Sequence, residues 1–318
     1  MPAEASLKPE RAGFLPFSKD ARRKIRKHRE LYLVILIPMV YTIIFHYLPM
    51  YGIQIGFRDF NPIGGITGSP FVGLKHFKLF FRSPQFLRLI SNTLGISVYQ
   101  ILAGFPVPII LGIALNEVRH TWFKKTVQMA TYAPHFISIV VMVGMILMFL
   151  SPSTGLVNRF LNTLGLESIN FMGNPRYFKT VYVLTGIWQN AGYGTIIYLA
   201  ALSSIDPQLQ EAATIDGATR LQKIRYINFP GILPTATILL IMRMGRVMNV
   251  GFQKVYLMQN PLNMPSSDII ATYVYRIGLL SAQFSFATAV GFFNSVINLI
   301  LIILVNKLAR RIGETSLW

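Results

Sequence analysis

The chain has 318 residues, 53% of them hydrophobic and only 13% charged, where an ordinary soluble domain carries about 25% charged residues; with several apolar runs longer than the roughly 18 residues of a bilayer span, a soluble architecture is excluded. Thirty Lys and Arg against twelve Asp and Glu give a net charge of +18, a balance that suits nucleic acid or an anionic membrane surface, so the placement of the charges has to decide. The absence of cysteine removes disulfides, thiolate metal sites and a Cys nucleophile, and fits either redox compartment.

In chain order, residues 1–30 hold nine Lys and Arg, seven of them from Lys19 to Arg29. This basic segment abuts the apolar run 31–57, which has no small-residue cleavage pattern and reads as a retained span. Its cations are not interleaved with stacking aromatics, which favours an anchor on anionic lipid over nucleic-acid binding. Five further spans are expected at about 89–115, 126–151, 180–203, 231–250 and 286–306, giving an all-α, six-helix membrane domain over 31–306. Prolines inside the runs (Pro38, Pro49, Pro106, Pro108) are tolerated in membrane helices, where neighbours satisfy the freed carbonyls. With both termini inside, the inner segments 1–30, 116–125, 204–230 and 307–318 carry 18 Lys and Arg in 79 residues, and the outer segments carry 10 in 94. That bias predicts a cytoplasmic N-terminus and a short cytoplasmic tail at 307–318.

Catalytic patterns are missing. The nearest approach to a phosphate-binding loop, Gly68 to Lys75, has Leu74 where the motif needs lysine. There is no HExxH and no GxSxG, and the five histidines are dispersed, so neither a metal site nor a catalytic residue is expected.

The cytoplasmic segment 204–230 is the most informative. Asp206 can cap a helix with Pro207 at its first position, and Gly217 can end that helix in the left-handed conformation, before a second short helix stopped near Pro230. Ala212, Ala213 and Ala218 allow close approach of a partner, while Glu211 and Asp216 offer charge to it. The residues alone fit a docking element and an ordinary capped loop equally well. The sequence Glu211-Ala212-Ala213, then Asp216-Gly217-Ala218 and the closing Pro230, resembles the EAA coupling loop of ABC-importer permeases. Ile187 to Tyr193 resembles the carbohydrate-import group of that family. Phe45 to Gly52, Asn116 to Arg119, Pro134 to Ser138 and Asn249 to Phe252 are similar to its oligosaccharide branch, alginate-importer permeases included. Gln253 departs from that branch, which often has Glu there, so no role for that carboxylate carries over.

The resemblance implies a type I importer permease of the bacterial cytoplasmic membrane that is not itself an enzyme. It implies a second homologous permease chain, since only one EAA loop occurs here; in the carbohydrate group this is usually a different protein, which implies a heterodimer, together with two ATPase subunits and an external solute-binding protein. ATP and Mg would be bound by the ATPase, with no cofactor on this chain.

For an oligosaccharide path, amides, hydroxyls and an aromatic platform are expected. Trp188, Gln189, Asn190 and Tyr193 on the fourth span fit, as do Asn294 and Asn298, four apart on one face of the sixth. Arg243 and Arg246 lie three apart on the fifth span, Arg243 near its middle. No acidic residue falls in any span, so this pair suits an anionic substrate such as a uronate oligosaccharide, or a role in the permease interface. Two alternatives stay open: an ABC permease for another polar solute, and a secondary transporter, which would show repeat symmetry that is not evident here.

Overall fold

The structure, a computed structural model, describes residues 27–312. The basic segment 1–30 therefore lies almost wholly outside the described residues, and so does the end of the tail 307–318. Among the described residues the chain is helical, and its only β pairing is two isolated bridges, Arg58 with Phe71 and Asn61 with Gly65.

Up to Gln54 the chain belongs to one compact unit, and from Ile55 to a second. Helix α1 (Arg29–Phe57) is long and apolar enough to cross a membrane, and no residue of its first stretch, Arg29–Thr42, is buried. Thr42 Oγ1 donates to the Pro38 carbonyl at 2.7 Å, the usual bond of a threonine one turn along a helix, and the turn Ile43–Tyr47 ahead of Pro49 widens to π geometry.

After the end of α1 the second unit carries α2 (Lys75–Arg82) and α3 (Phe86–Glu117). It continues through α4 (Thr121–Phe136), α5 (Ile139–Phe149), α6 (Pro175–Ser203) and α7 (Pro207–Ile215). Then come α8 (Arg220–Met244), α9 (Phe252–Met258), α10 (Ile270–Leu280) and α11 (Phe284–Ile312). Among the described residues four helices, α1, α3, α8 and α11, are long and apolar enough to span; α4 and α5 pass that test only as a pair, bent by 102°. The expected fourth span falls in α6. That helix is long enough at 29 residues, but it carries Arg176, Lys179, Gln189 and Asn190 and is not among the four.

Two expectations are corrected here. The third span is not one straight helix over 126–151: Ile137 and Ser138 are extended, and Ser138 caps α5 by accepting from the Val141 N–H. Pro134 tightens the preceding turn into a 3-10 helix, so the chain leaves α4 and starts afresh. Nor does the helix after Gly217 stop near Pro230. It runs on through the proline into α8, because the turn Ile224–Asn228 takes π geometry and removes the clash of the ring with the preceding carbonyl.

Packing in the second unit rests on three apolar clusters. One, with Ile96, Met142, Phe178, Val183 and Val255, joins α3, α5, α6 and α9. Another, with Phe80, Leu89, Met248, Ile270 and Val290, joins α2, α3, α10 and α11. The third, with Ile109, Tyr198, Leu202 and Ile232, joins α3, α6 and α8. Between the first and third clusters, α4 and α6 approach so closely that a Cβ on Gly192 would collide with the Thr131 carbonyl.

Candidate substrate cavity and coupling loop

A cavity of about 480 Å³ opens between α3, α6 and the end of α8. Helix α3 contributes Ser97, Gln100, Ile101, Gly104 and Pro108; α6 contributes Gly186, Ile187, Asn190, Ala191, Gly194, Ile197 and Tyr198. From α8 and the turns after it come Leu239, Met242, Arg243, Arg246, Val247 and Asn249. The small residues on α3 and α6 leave this volume unfilled. Its polar groups are amides, hydroxyls and two guanidinium groups, and none of the lining residues is a carboxylate.

Of the eight residues expected along the path, three line the cavity: Asn190, Arg243 and Arg246. Arg243 does not lie near the middle of its helix but in its last turn, because α8 ends at Met244 and the chain passes into successive turns at Gly245. Arg246 lies beyond the helix end, so the two arginines share the cavity through that turn rather than through one helical face. The Arg243 guanidinium sits 5.5 Å from the Phe105 ring centroid, which stabilises the cation without pairing its charge.

Four of the other five take supporting places. Tyr193 stacks on His135 with ring centroids 4.0 Å apart and planes within 4°, and His135 Nδ1 donates to Asn190 Oδ1 at 3.1 Å. Asn190 in turn donates to the Gly186 carbonyl at 3.0 Å, so its orientation is fixed from both ends. Gln189 points away: it is buried and donates to the Ile137 carbonyl at 3.1 Å, holding the break between α4 and α5 against α6. Trp188 is half exposed and does not line the cavity. Asn294 and Asn298 both donate to Asn249 Oδ1, at 3.0 and 3.2 Å, and Asn298 accepts the Met248 N–H at 3.1 Å. They position Asn249, which does face the cavity and which side-chain chemistry alone had not singled out.

The loop 204–230 has the geometry that its sequence predicts at its first helix. Asp206 accepts from the Gln208 N–H at 2.9 Å with Pro207 at the first helical position. Gly217 has φ +76°, and the Ala218 and Gly217 N–H groups close the helix end on the Ala213 and Thr214 carbonyls at 2.9 and 3.1 Å. Thr219 and Gln222 form a capping box that starts the next helix. Glu211, Ala212 and Asp216 are exposed, beside Ile215 and Leu221 with 87% and 78% of their surface free. An apolar ridge of this kind with carboxylates on it suits burial against a partner. Behind the ridge, buried Asn228 accepts from Gln210 at 2.6 Å and donates to Glu117 at 3.1 Å, which ties α7 to the end of α3. This bridge spans 111 positions, so only the fold reveals it.

Residues 104–314 match the family described as binding-protein-dependent transport system inner membrane component. The chain belongs to this family. The polygalacturonan/rhamnogalacturonan transport system permease protein YteP of Bacillus subtilis (strain 168) is 44% identical over 306 residues, 95% of each chain. A crystal structure of a bacterial ABC transporter involved in the import of the acidic polysaccharide alginate contains a chain with 41% identity and a TM-score of 0.86, covering 93% of this chain and all of that one. A second structure, of the bacterial alginate ABC transporter in complex with alginate pentasaccharide-bound periplasmic protein, matches with the same identity and TM-score and covers 93% and 99%. The protein is thus an ABC-transporter permease of the inner-membrane component family, with the type I permease fold and several membrane-crossing helices. As a permease subunit it is not an enzyme; ATP hydrolysis resides in a separate protein.

Proposed function

We propose that this permease carries acidic oligosaccharides, of the uronate class, inward through the cavity between α3, α6 and α8. The observation that carries the reading is the pair Arg243 and Arg246 on a cavity that no carboxylate lines. An unpaired arginine in a low-dielectric site costs free energy that a bound carboxylate offsets, and a guanidinium accepts that partner in bidentate geometry. Asn190 and Asn249 add amide groups suited to sugar hydroxyls, and the ring pair Tyr193 and His135 fixes Asn190. The polysaccharides named for YteP and for the alginate transporter point to the same class of cargo.

In this reading six spans cross the bacterial cytoplasmic membrane with both termini inside, and residues 31–306 form the permease domain. The segments 1–30 and 307–318 flank it on the cytoplasmic side. The segment 204–230 is the coupling loop, with Glu211, Ala212, Ala213, Asp216, Gly217 and Ala218 seated on an ATPase that binds ATP and Mg. A second, different permease completes the translocation path, two ATPase subunits drive it, and an external solute-binding protein delivers the oligosaccharide. Closure of the ATPase pair draws the coupling loops together, and the link from α7 through Asn228 to Glu117 passes that displacement to α3, one wall of the cavity. Alternating access then needs only two states that the cargo and the ATPases bind differently.

The test is uptake by the assembled transporter in proteoliposomes, with acidic and neutral oligosaccharides of equal length. Uptake of the acidic series alone, or at a clearly lower half-saturating concentration, is the expected result. Equal handling of both would remove the acidic substrate from the proposal.

A further inference from the structure

Behind the α6 wall of the cavity lies a third cation that the reading above does not use. Lys254, on α9, is 7% exposed. Its Nζ donates to the Tyr182 carbonyl at 3.0 Å and lies 4.8 Å from the Tyr182 ring centroid. None of the ion pairs among the described residues includes it. A lysine carries three donors, and a single carbonyl and one ring face are little compensation for a buried ammonium.

Its position relative to the cavity is set by a glycine. Gly186 lines the cavity, and a Cβ built on it would lie 3.5 Å from Lys254 Nζ. With no side chain at this position, the ammonium comes close to the α6 backbone at a residue that lines the cavity. Asn190, one turn along α6, is held by the Gly186 carbonyl, so the charge sits next to the amide that faces the cargo.

We propose that Lys254 is a positioning residue for anionic cargo, a fixed positive charge that acts through the Gly186 wall and adds to the field of Arg243 and Arg246. This rests on the acidic-substrate reading above. The interaction is through space rather than by contact: at separations of several ångströms inside a protein, one unit charge changes the affinity for another by about tenfold. A neutral sugar gains nothing from it. Burial also depresses the lysine to about 8, so the charge is present at neutral pH and fades in mildly alkaline solution.

Helix α5, packed against α9, brings no titratable side chain. From α6 the ammonium meets Tyr182, with Lys179, itself lowered by burial, one turn before it; α9 adds Tyr256, and α10 adds Tyr273, Tyr275 and Arg276, which pairs with Asp268 at 2.8 Å.

The experiment uses the full transporter in proteoliposomes, with Lys254→Met and Lys254→Arg variants, and measures half-saturating concentrations for acidic and neutral oligosaccharides of equal length at pH 7 and pH 9. For Lys254→Met the acidic series should weaken about tenfold at pH 7 while the neutral series is unchanged. Lys254→Arg should keep the preference, and should keep it at pH 9, where the wild type loses part of its own. A parallel loss for both series in Lys254→Met would assign the lysine a structural role, and no change in either would make its charge irrelevant; both results overturn the inference. A wild-type transporter without acidic preference would instead defeat the reading on which the inference rests.

Discussion

His135 and Asn190 meet at 3.1 Å, imidazole Nδ1 to amide oxygen, across 55 positions of sequence. The contact joins the break between α4 and α5 to the wall of the cavity. Since Asn190 offers its oxygen, Nδ1 must carry the hydrogen, and the imidazole is held flat against Tyr193 in the same geometry. Removing the ring by His135→Ala frees Asn190 and should lower transport about two- to tenfold, the range set by one lost hydrogen bond. His135→Gln, which keeps a donor, should recover part of it. Uptake rates normalised to assembled complex decide this, and equal rates for the Ala variant and wild type would contradict it.

Gly217 has φ +76° and nothing within 4 Å of a built Cβ, so a substitution there meets backbone strain alone. Gly217→Val should cost roughly 1–2 kcal/mol in the loop and tilt α7. The ratio of ATP hydrolysed to substrate imported should rise, while Gly217→Asn, which tolerates this conformation, should stay near wild type. An unchanged ratio in the Val variant would separate this loop from coupling.

Much of α7 was legible because its signals are local: a cap, a proline at the first turn and a glycine at the end determine one helix without outside help. The cavity was not. Adjacent residues on a helix point about 100° apart, and the phase of α6 that turns Asn190 to the cavity and Gln189 to the Ile137 carbonyl comes from packing. Likewise Arg243 reads as central only while 231–250 is taken as one helix; Gly245 and the turns that follow it were the available sign that the helix ends sooner. Ser97, Gln100, Tyr198 and Asn249 come from distant parts of the chain, and nothing in their own sequence neighbourhoods marks them as partners. The break at Ile137 and Ser138 was missed for a related reason, since a proline such as Pro134 is compatible with a continuous membrane helix as well as with a broken one.

Asp268 is fully buried and holds Arg276 at 2.8 Å and Arg88 at 3.6 Å, with Thr272 donating to its other oxygen at 3.1 Å. Asp268→Ala takes the carboxylate from two part-exposed arginines and leaves a void, and should destabilise the protein by about 1–3 kcal/mol. A large drop in thermal unfolding temperature in detergent is expected. A variant as stable as wild type would show that solvent already screens the pair.

Lys254 also gives stability a pH dependence with a definite sign. Its folded value of about 8 lies below the ordinary 10.5, so below about pH 8 both states hold the proton and the burial penalty is complete. Between about 8 and 10.5 the unfolded state holds more protons than the folded one, and stability rises with pH, by a total on the order of 3 kcal/mol. Unfolding in detergent across this range should show the rise in wild type and lose it in Lys254→Met. A flat wild-type profile would mean that the ammonium reaches water.

The central claim is that Arg243 and Arg246 select an anionic cargo, and the most direct measurement is competition. Proteoliposomes holding the assembled transporter, wild type or the Arg243→Gln and Arg246→Gln double variant, take up labelled acidic oligosaccharide in the presence of neutral oligosaccharide of equal length. In wild type the neutral competitor should have little effect. In the double variant, with assembly intact, the preference for the acidic chain should fall by tenfold or more, by the same Coulomb reasoning. A double variant that loses uptake of both sugars equally, or that keeps its acidic preference, would contradict the claim.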